Sequence, residues 1–364
     1  MLFLAYISIL LLAFQLLNSF LNLVYRQKLP SEEPNENIKD VSVLIPARNE
    51  EGNIKPLLED LQKIQHNILE ILVYDDHSTD YTRQLVEGFI KQDKRIRLID
   101  TKDLPVGWLG KNHACHQLAK NAVGQLYLFL DADVRISGNI IHDAATYSKQ
   151  KNLALLTIFP FQILKTLIEK ITVPVMNYIL LTLLPLIFVR KSPFIAHSAA
   201  NGQFMLFDAE KYQNFQPHLV FRSSAIEDIS IASYFKQKKE KIACLTGDKR
   251  IQCRMYKSYQ EAMNGFSKNI FMFFGNIPAL ALLFWAFAAF GFVPILIEIP
   301  QFLPGYIAGI FTIQFLYAKS SNQNIFLSTL LFPLQLIFLF ITLCNALWVK
   351  KKRKYIWKER NIYL

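Results

Sequence analysis

The sequence predicts an α/β domain on a mostly parallel, Rossmann-like sheet, with transmembrane helices at both ends. Three observations carry that prediction. Between about residues 40 and 130, short apolar runs alternate with stretches of helical periodicity, the pattern of a parallel sheet covered on both faces. Residues 1–25, 269–297, 299–318 and 320–349 contain no Asp, Glu, Lys or Arg, and about 20 apolar residues suffice to cross a bilayer core. Acidic residues gather directly after the apolar runs of the middle region, where ligands of such sheets bind.

In order along the chain, 1–25 reads as a retained transmembrane anchor. It lacks a basic start and a small-x-small cleavage site, which argues against a signal peptide. Arg26 and Lys28 follow it, so the positive-inside rule places the next region in the cytoplasm, on the inner face of the cell membrane. Residues 26–39, polar and with two Pro, read as a linker. A domain is expected over 40–268. Val41–Ile45, Ile68–Tyr74, Ile96–Ile99 and Leu126–Leu130 are its predicted strands. Helices are expected after Asn53 as N-cap, around Leu85–Ile90, and from about Lys111 to Ala122. Residues 171–189 lack charge but hold Pro174 and Pro185, which suggests a membrane-interface segment. A C-terminal transmembrane bundle is expected over 269–349, of which 299–318, short and holding Pro300, Pro304 and Gly305, is the least convincing simple span. A basic cytoplasmic tail follows over 350–364, making the protein multi-pass.

Composition narrows the classes further. The net charge of +11 draws heavily on Lys350–Lys354, beside an apolar run, and so points to a membrane surface rather than nucleic acid. Cys115, Cys244, Cys253 and Cys344 are scattered, with neither zinc spacing nor a disulfide framework.

The chemistry concentrates where strands end: Pro46-Ala-Arg-Asn-Glu-Glu51, Asp75-Asp-His-Ser-Thr-Asp80 and Asp131-Ala-Asp133. Any one of these acids alone reads equally as a helix cap or solvated loop residue and as a functional group. Three such stops in sequence crowd negative charge on one sheet edge, a need that a hard divalent cation with substrate phosphates meets.

The order PARNEE, YDDHSTD, DADV and IED closely resembles the family-2 glycosyltransferases of GT-A fold, over about residues 40–270. Pro105–Ala114, Asn201–Met205 and Arg254-Met-Tyr256 resemble its membrane-bound subgroup, which includes hopanoid-associated and carotenoid (diaponeurosporenoate) glycosyltransferases. The resemblance implies a metal-dependent, inverting transfer of one sugar from a nucleotide-sugar, a UDP-sugar first, to a membrane lipid. It implies that Pro46, Ala47, Asn49 and Glu50 line the nucleotide pocket, with Asp75 and Asp76 on the base and ribose. Asp131 would face ribose and metal, Asp133 would be the principal ligand of Mg2+ or Mn2+, and Asp228 the general base. Lys111 would add positive charge near the diphosphate. Physically, a sugar–phosphate bond breaks when the leaving diphosphate is stabilised and the attacking hydroxyl loses its proton to a carboxylate.

Weaker candidates are Gly202 and Gln203, Glu227 and Arg254. Gly202 permits close approach to a ligand or simply a turn, Glu227 and Asp228 also suit a helix start, and Arg254 reaches either the diphosphate or an acidic neighbour. The alternatives are a processive polysaccharide synthase and an inactive scaffold of the same fold. Gln252-Cys-Arg-Met255 departs from the Gln-x-x-Arg-Trp of processive synthases, and Asp133 and Asp228 are both present.

Overall fold

A computed structural model describes residues 1–30, 39–352, 356–357 and 360–361. Most of the expected linker and all but the first three residues of the expected basic tail lie wholly or partly outside the described residues. The chain divides into two compact units. One comprises Gln27–Phe161, Ile187–Cys253 and the residues from Ile356; the other comprises Met1–Arg26, Gln162–Leu186 and Arg254–Tyr355.

The first unit is α/β. Its main sheet has seven strands: β1 Lys39–Ala47, β2 Asn67–Asp75, β3 Ile96–Ile99, β4 Leu126–Leu130, β5 Leu155–Phe159, β6 Phe204–Asp208 and β7 Ile242–Thr246. Their order is β3-β2-β1-β4-β6-β5-β7. All neighbours run parallel except β6, which is antiparallel to both β4 and β5. The four strands expected up to residue 130 thus form one parallel half, and the mixed half follows from β6, whose direction periodicity cannot reveal.

The expected core assembles on this sheet. Val41, Val43, Ile45, Ile71, Val73, Leu128 and Leu130 pack with Ile54, Leu57, Leu58 and Leu61 from one face of the helix Glu51–Lys63. That helix starts three residues earlier than expected. Asn53 is not its cap but lies inside the first turn, donating from Nδ2 to Glu50 Oε2 at 2.7 Å. Gly124 shows why β4 can lie so close to β1: a Cβ there would come within 2.7 Å of Asp40 O and Ser42 Oγ. Its own N–H donates to Ser42 Oγ at 2.9 Å.

The second unit is a set of apolar helices. Leu2–Val24 and Phe332–Lys352 are long and apolar enough to cross a membrane; Tyr259–Phe274 and Pro278–Phe290 qualify only as a pair, bent by 96°. Residues 269–297 are therefore not one straight helix, while 299–318 lies largely within the helix Leu303–Ser320. The helix Leu2–Val24 is inverted relative to a water-soluble one. It buries Gln15, Asn18, Ser19 and Asn22 and exposes Leu10, Phe14 and Leu17. The asparagines have a specific task. The helix Pro174–Leu183 breaks ahead of Pro185, and its released carbonyls need donors where water is scarce. Asn18 Nδ2 reaches Thr182 O at 3.0 Å, and Asn22 Nδ2 reaches Leu181 O at 2.8 Å and Leu184 O at 2.9 Å. The charge-free segment 171–189 consequently holds the end of the helix Leu167–Thr172, the whole of Pro174–Leu183 and, after a break, the start of Ile187–Lys191, and the boundary between the units falls inside it.

Candidate active site

The loops after β1 and β2 are laced together by hydrogen bonds. Ala47 lies opposite Asp75 in the parallel register, and Ala47 O accepts from Asp76 N at 2.8 Å. Asn49 takes a left-handed φ of 50°, which lets its N–H reach Ser78 Oγ at 2.9 Å and its Oδ1 accept from Thr79 N at 2.9 Å. Asp75 Oδ1 accepts from Ser78 N at 3.3 Å, and Glu50 N donates to Thr82 Oγ1 at 2.8 Å. Asp80 accepts from Thr82 Oγ1, Thr82 N and Glu51 N. Burial alone would raise the Asp80 pKa, but those donors outweigh it and hold the carboxyl below its usual range. Pro46, Ala47, Asn49, Glu50, Asp75 and Asp76 are thus brought to one rim, with Asp75 and Asp76 themselves buried.

The rim after β4 is built differently. Lys111, in the first turn of the helix Gly110–Asn121, places Nζ 2.8 Å from Asp131 Oδ1 and 3.3 Å from Glu227 Oε1. Burial would lower the lysine's pKa, yet the two carboxylates beside it drive it well above normal. Gly202 lies between Lys111 and Asp228: a Cβ there would be 3.3 Å from Lys111 Nζ and 3.6 Å from Asp228 Oδ2. The Gly202 N–H donates to Asp228 Oδ2 at 3.0 Å, and Ile229 N donates to Asp228 Oδ1 at 2.8 Å. Both contacts fix the carboxylate at the start of the helix Glu227–Gln237.

Asp133 stands apart. Its Oδ2 accepts from Gln203 Nε2 at 3.2 Å and from Cys253 Sγ at 3.4 Å, while Oδ1 is buried with no hydrogen-bond partner. Burial, reinforced by the negative charges of Asp131 and Glu50, pushes its pKa up to about 6. Among the described residues, no three His, Cys, Asp or Glu side chains gather into a ready cation cage. The residues present nevertheless fit a divalent metal. An unpartnered buried carboxylate oxygen amid excess negative charge is stabilised by a cation, and Mg2+ or Mn2+ commonly takes one or two carboxylates and completes its shell with phosphates and water. Lys111, which now neutralises Asp131, supplies the rest of the positive charge.

Of the sequence candidates, Asp131, Asp133, Lys111, Gly202, Gln203, Glu227 and Asp228 therefore form one connected cluster. Arg254 belongs to the other compact unit, where its guanidinium is paired with the buried Glu169 at 2.6 Å. Sequence reading missed Asn112 and Cys253. Asn112 Nδ2 lies 2.8 Å from Phe221 O, 3.2 Å from Arg222 O and 2.8 Å from Ser224 O, tethering the approach to Glu227 and Asp228 to the helix that carries Lys111. Its place next to Lys111 was the available signal. His113 and His116 are packing residues beside Trp108, and burial first of all pushes the His116 pKa down to about 4.

Comparison with known proteins gives a consistent result. Residues 42–209 match the profile of Glycosyl transferase family 2. The 4,4'-diaponeurosporenoate glycosyltransferase of Staphylococcus haemolyticus (strain JCSC1435) is 26% identical over 239 residues, 65% of this chain and 62% of that protein. Its counterpart in Staphylococcus aureus (strain USA300) is 27% identical over 254 residues, 67% of this chain and 64% of that protein. The chain thus spans less than two thirds of the length of these curated relatives. Among solved structures, the mannosyltransferase PcManGT from Pyrobaculum calidifontis, in complex with GDP-Man and Mn2+, shares the fold with a TM-score of 0.54. Sequence identity there is 15%, and the likeness covers 95% of this chain and 99% of that one.

Proposed function

We propose that the chain, whose residues 42–209 match glycosyl transferase family 2, moves one sugar, with inversion, from a nucleoside-diphosphate-sugar to a lipid acceptor at a membrane. The observation that carries this reading is the cluster in which Lys111 joins Asp131 to Glu227, Gly202 lies between Lys111 and Asp228, and Asp133 keeps one buried oxygen without a partner. In this reading the rim of Pro46, Ala47, Asn49, Glu50, Asp75 and Asp76 receives the nucleoside. Asp133, with Asp131 beside it, would hold Mg2+ or Mn2+, which when bound supplies Lewis-acid stabilisation of a diphosphate leaving group.

The chain's own residues do the rest. Lys111 exchanges part of its contact with Asp131 for the diphosphate as the donor enters, so that charge is compensated before and after binding. Asp228, held by the Gly202 and Ile229 amides, takes the proton of the attacking acceptor oxygen. Glu227 stays paired with Lys111 and keeps that ammonium between donor and base. A single base with no nucleophile gives one displacement and hence inversion.

Support for a lipid acceptor comes from the apolar unit, whose N-terminal helix turns Gln15, Asn18 and Asn22 inward and Leu10, Phe14 and Leu17 outward. The names of the Staphylococcus relatives, which act on a carotenoid acid, point to the same acceptor class. The experiment is to incubate the full chain in lipid nanodiscs with labelled UDP- and GDP-sugars, Mg2+ or Mn2+ and a lipid extract. A labelled glycolipid that disappears with Asp228→Asn is expected. Label transfer only to water-soluble acceptors, or equal transfer by Asp228→Asn, overturns the reading.

A further inference from the structure

The chain passes from the apolar unit into the α/β unit between Leu186 and Ile187. The first residues on the α/β side make a compact loop. After the short helix Ile187–Lys191, Ser192 N donates back to Phe188 O at 3.0 Å, and His197 Nδ1 lies 2.7 Å from Ser192 Oγ. The His197 ring stacks on Phe188, with centroids 5.3 Å apart and planes at 27°. At the tip, Pro193, Phe194, Ile195 and Ala196 are exposed in succession, Phe194 to 67% and Ile195 to 45%, and Lys191 is exposed beside them.

Lys236, buried on the helix Glu227–Gln237, reaches the same loop. Its Nζ donates to Ser192 O at 2.9 Å, and to Phe188 O and Phe194 O at 3.3 Å. An ammonium with three donors on a long stem suits three converging carbonyls. Burial pushes its pKa down to about 8, so it still carries its charge at neutral pH. Two features then call for a common cause. Four successive exposed apolar residues gain nothing from facing water. Burying a charged lysine is costly unless its ammonium is hydrogen-bonded, and here its three acceptors are carbonyls of this one loop and the short helix before it.

We propose that the loop Ser192–His197 is a membrane-surface contact, in which Phe194 and Ile195 enter the boundary between lipid headgroups and acyl chains, Lys191 faces anionic headgroups, and Lys236 braces the loop against the helix bearing Glu227 and Asp228. The occupant is the bilayer for two reasons. A large apolar pair beside a lysine is the chemistry of an interfacial anchor on anionic lipid. Ser192 also follows by only six positions Leu186, where the chain leaves a unit whose helices Leu2–Val24 and Phe332–Lys352 are long and apolar enough to span. The inference rests on the membrane part of the proposed function and is independent of the sugar transfer.

The test uses the full chain with Cys344→Ser, in nanodiscs of phosphatidylcholine and phosphatidylglycerol, bearing one nitroxide through Phe194→Cys. The other cysteines are buried. Power-saturation EPR compares relaxation by oxygen, which concentrates in lipid, with relaxation by a water-soluble nickel chelate. Leu10→Cys on the N-terminal helix and Val106→Cys on the α/β unit, both exposed, are the references. Position 194 should favour oxygen, as position 10 does, whereas position 106 favours nickel. If 194 behaves like 106 while 10 lies in lipid, the surface contact is refuted and the membrane reading stands. If 10 is also nickel-accessible, both are refuted. Lys236→Met should sharpen the spectrum at 194 by releasing the loop, and an unchanged line shape would remove the brace.

Discussion

Along the carboxyl edge of the main sheet, the loops after β1 and β2 hold Asp75 and Asp80 with hydrogen bonds from neighbouring N–H and hydroxyl groups. The loops after β4 and before β6 hold Asp131 through a lysine it shares with Glu227, and leave one buried oxygen of Asp133 with no donor. The sequence motifs look alike, since each is a pair of acids following an apolar strand. Their electrostatic states differ. The Asp80 carboxyl is held below its usual range by hydrogen bonds that outweigh burial, whereas Asp133 is pushed up to about 6 by burial and neighbouring charge. An acid already satisfied by its own fold stabilises a loop, and one left unsatisfied is poised for a ligand. In the proposed function Asp80 therefore only shapes the rim that receives the nucleoside, and the groups that act on the reacting atoms lie on the second rim.

Substitutions can break or sharpen that contrast. The largest effect is expected of Asp228→Asn, which keeps an acceptor for the Gly202 N–H but cannot take a proton. Its kcat should fall on the order of 1,000-fold with the donor KM nearly unchanged, as initial rates of lipid glycosylation will show. Lys111→Met should come next, lowering kcat/KM for the donor by about 100-fold, because Asp131 and Glu227 then face the diphosphate uncompensated. Asn112→Ala removes a donor from three carbonyls of the segment leading to Asp228. It should cost about 1–3 kcal/mol in denaturant unfolding and lower kcat more than it raises the donor KM. Asp80→Ala should be mildest for catalysis, destabilising by about 1 kcal/mol and changing rates by no more than about threefold. If Asp80→Ala impaired turnover as severely as Asp228→Asn, the division between the rims would fail.

Much of this was legible in the sequence, and the part that was not has a physical reason. Strands ending in acids announce themselves by apolar runs, and Ile96–Ile99 and Leu126–Leu130 fall where expected. The direction of β6 was hidden, because Phe204–Asp208 reads the same whether parallel or antiparallel. Asn53 looked like a cap, but the chain turns helical at Glu51, where Glu50 is already anchored to Thr82. Motif order brought Asp131, Asp133 and Asp228 to notice together. It could not tell that Lys111 bridges Asp131 and Glu227, or that Cys253, more than 100 positions away, closes over Asp133. Lys236 was invisible for a similar reason: its three acceptors are backbone carbonyls, which leave no mark in a sequence.

In the proposed function Asp133 takes up a divalent cation that the donor's diphosphate helps to hold. The most direct test of this is Mn2+ titration of the full chain in the presence of UDP or GDP, following the EPR signal of the free ion. Saturable binding to the unmodified chain is expected, with a loss of affinity of about 100-fold in Asp133→Asn and the fold intact. Equal Mn2+ binding by the two proteins would contradict it.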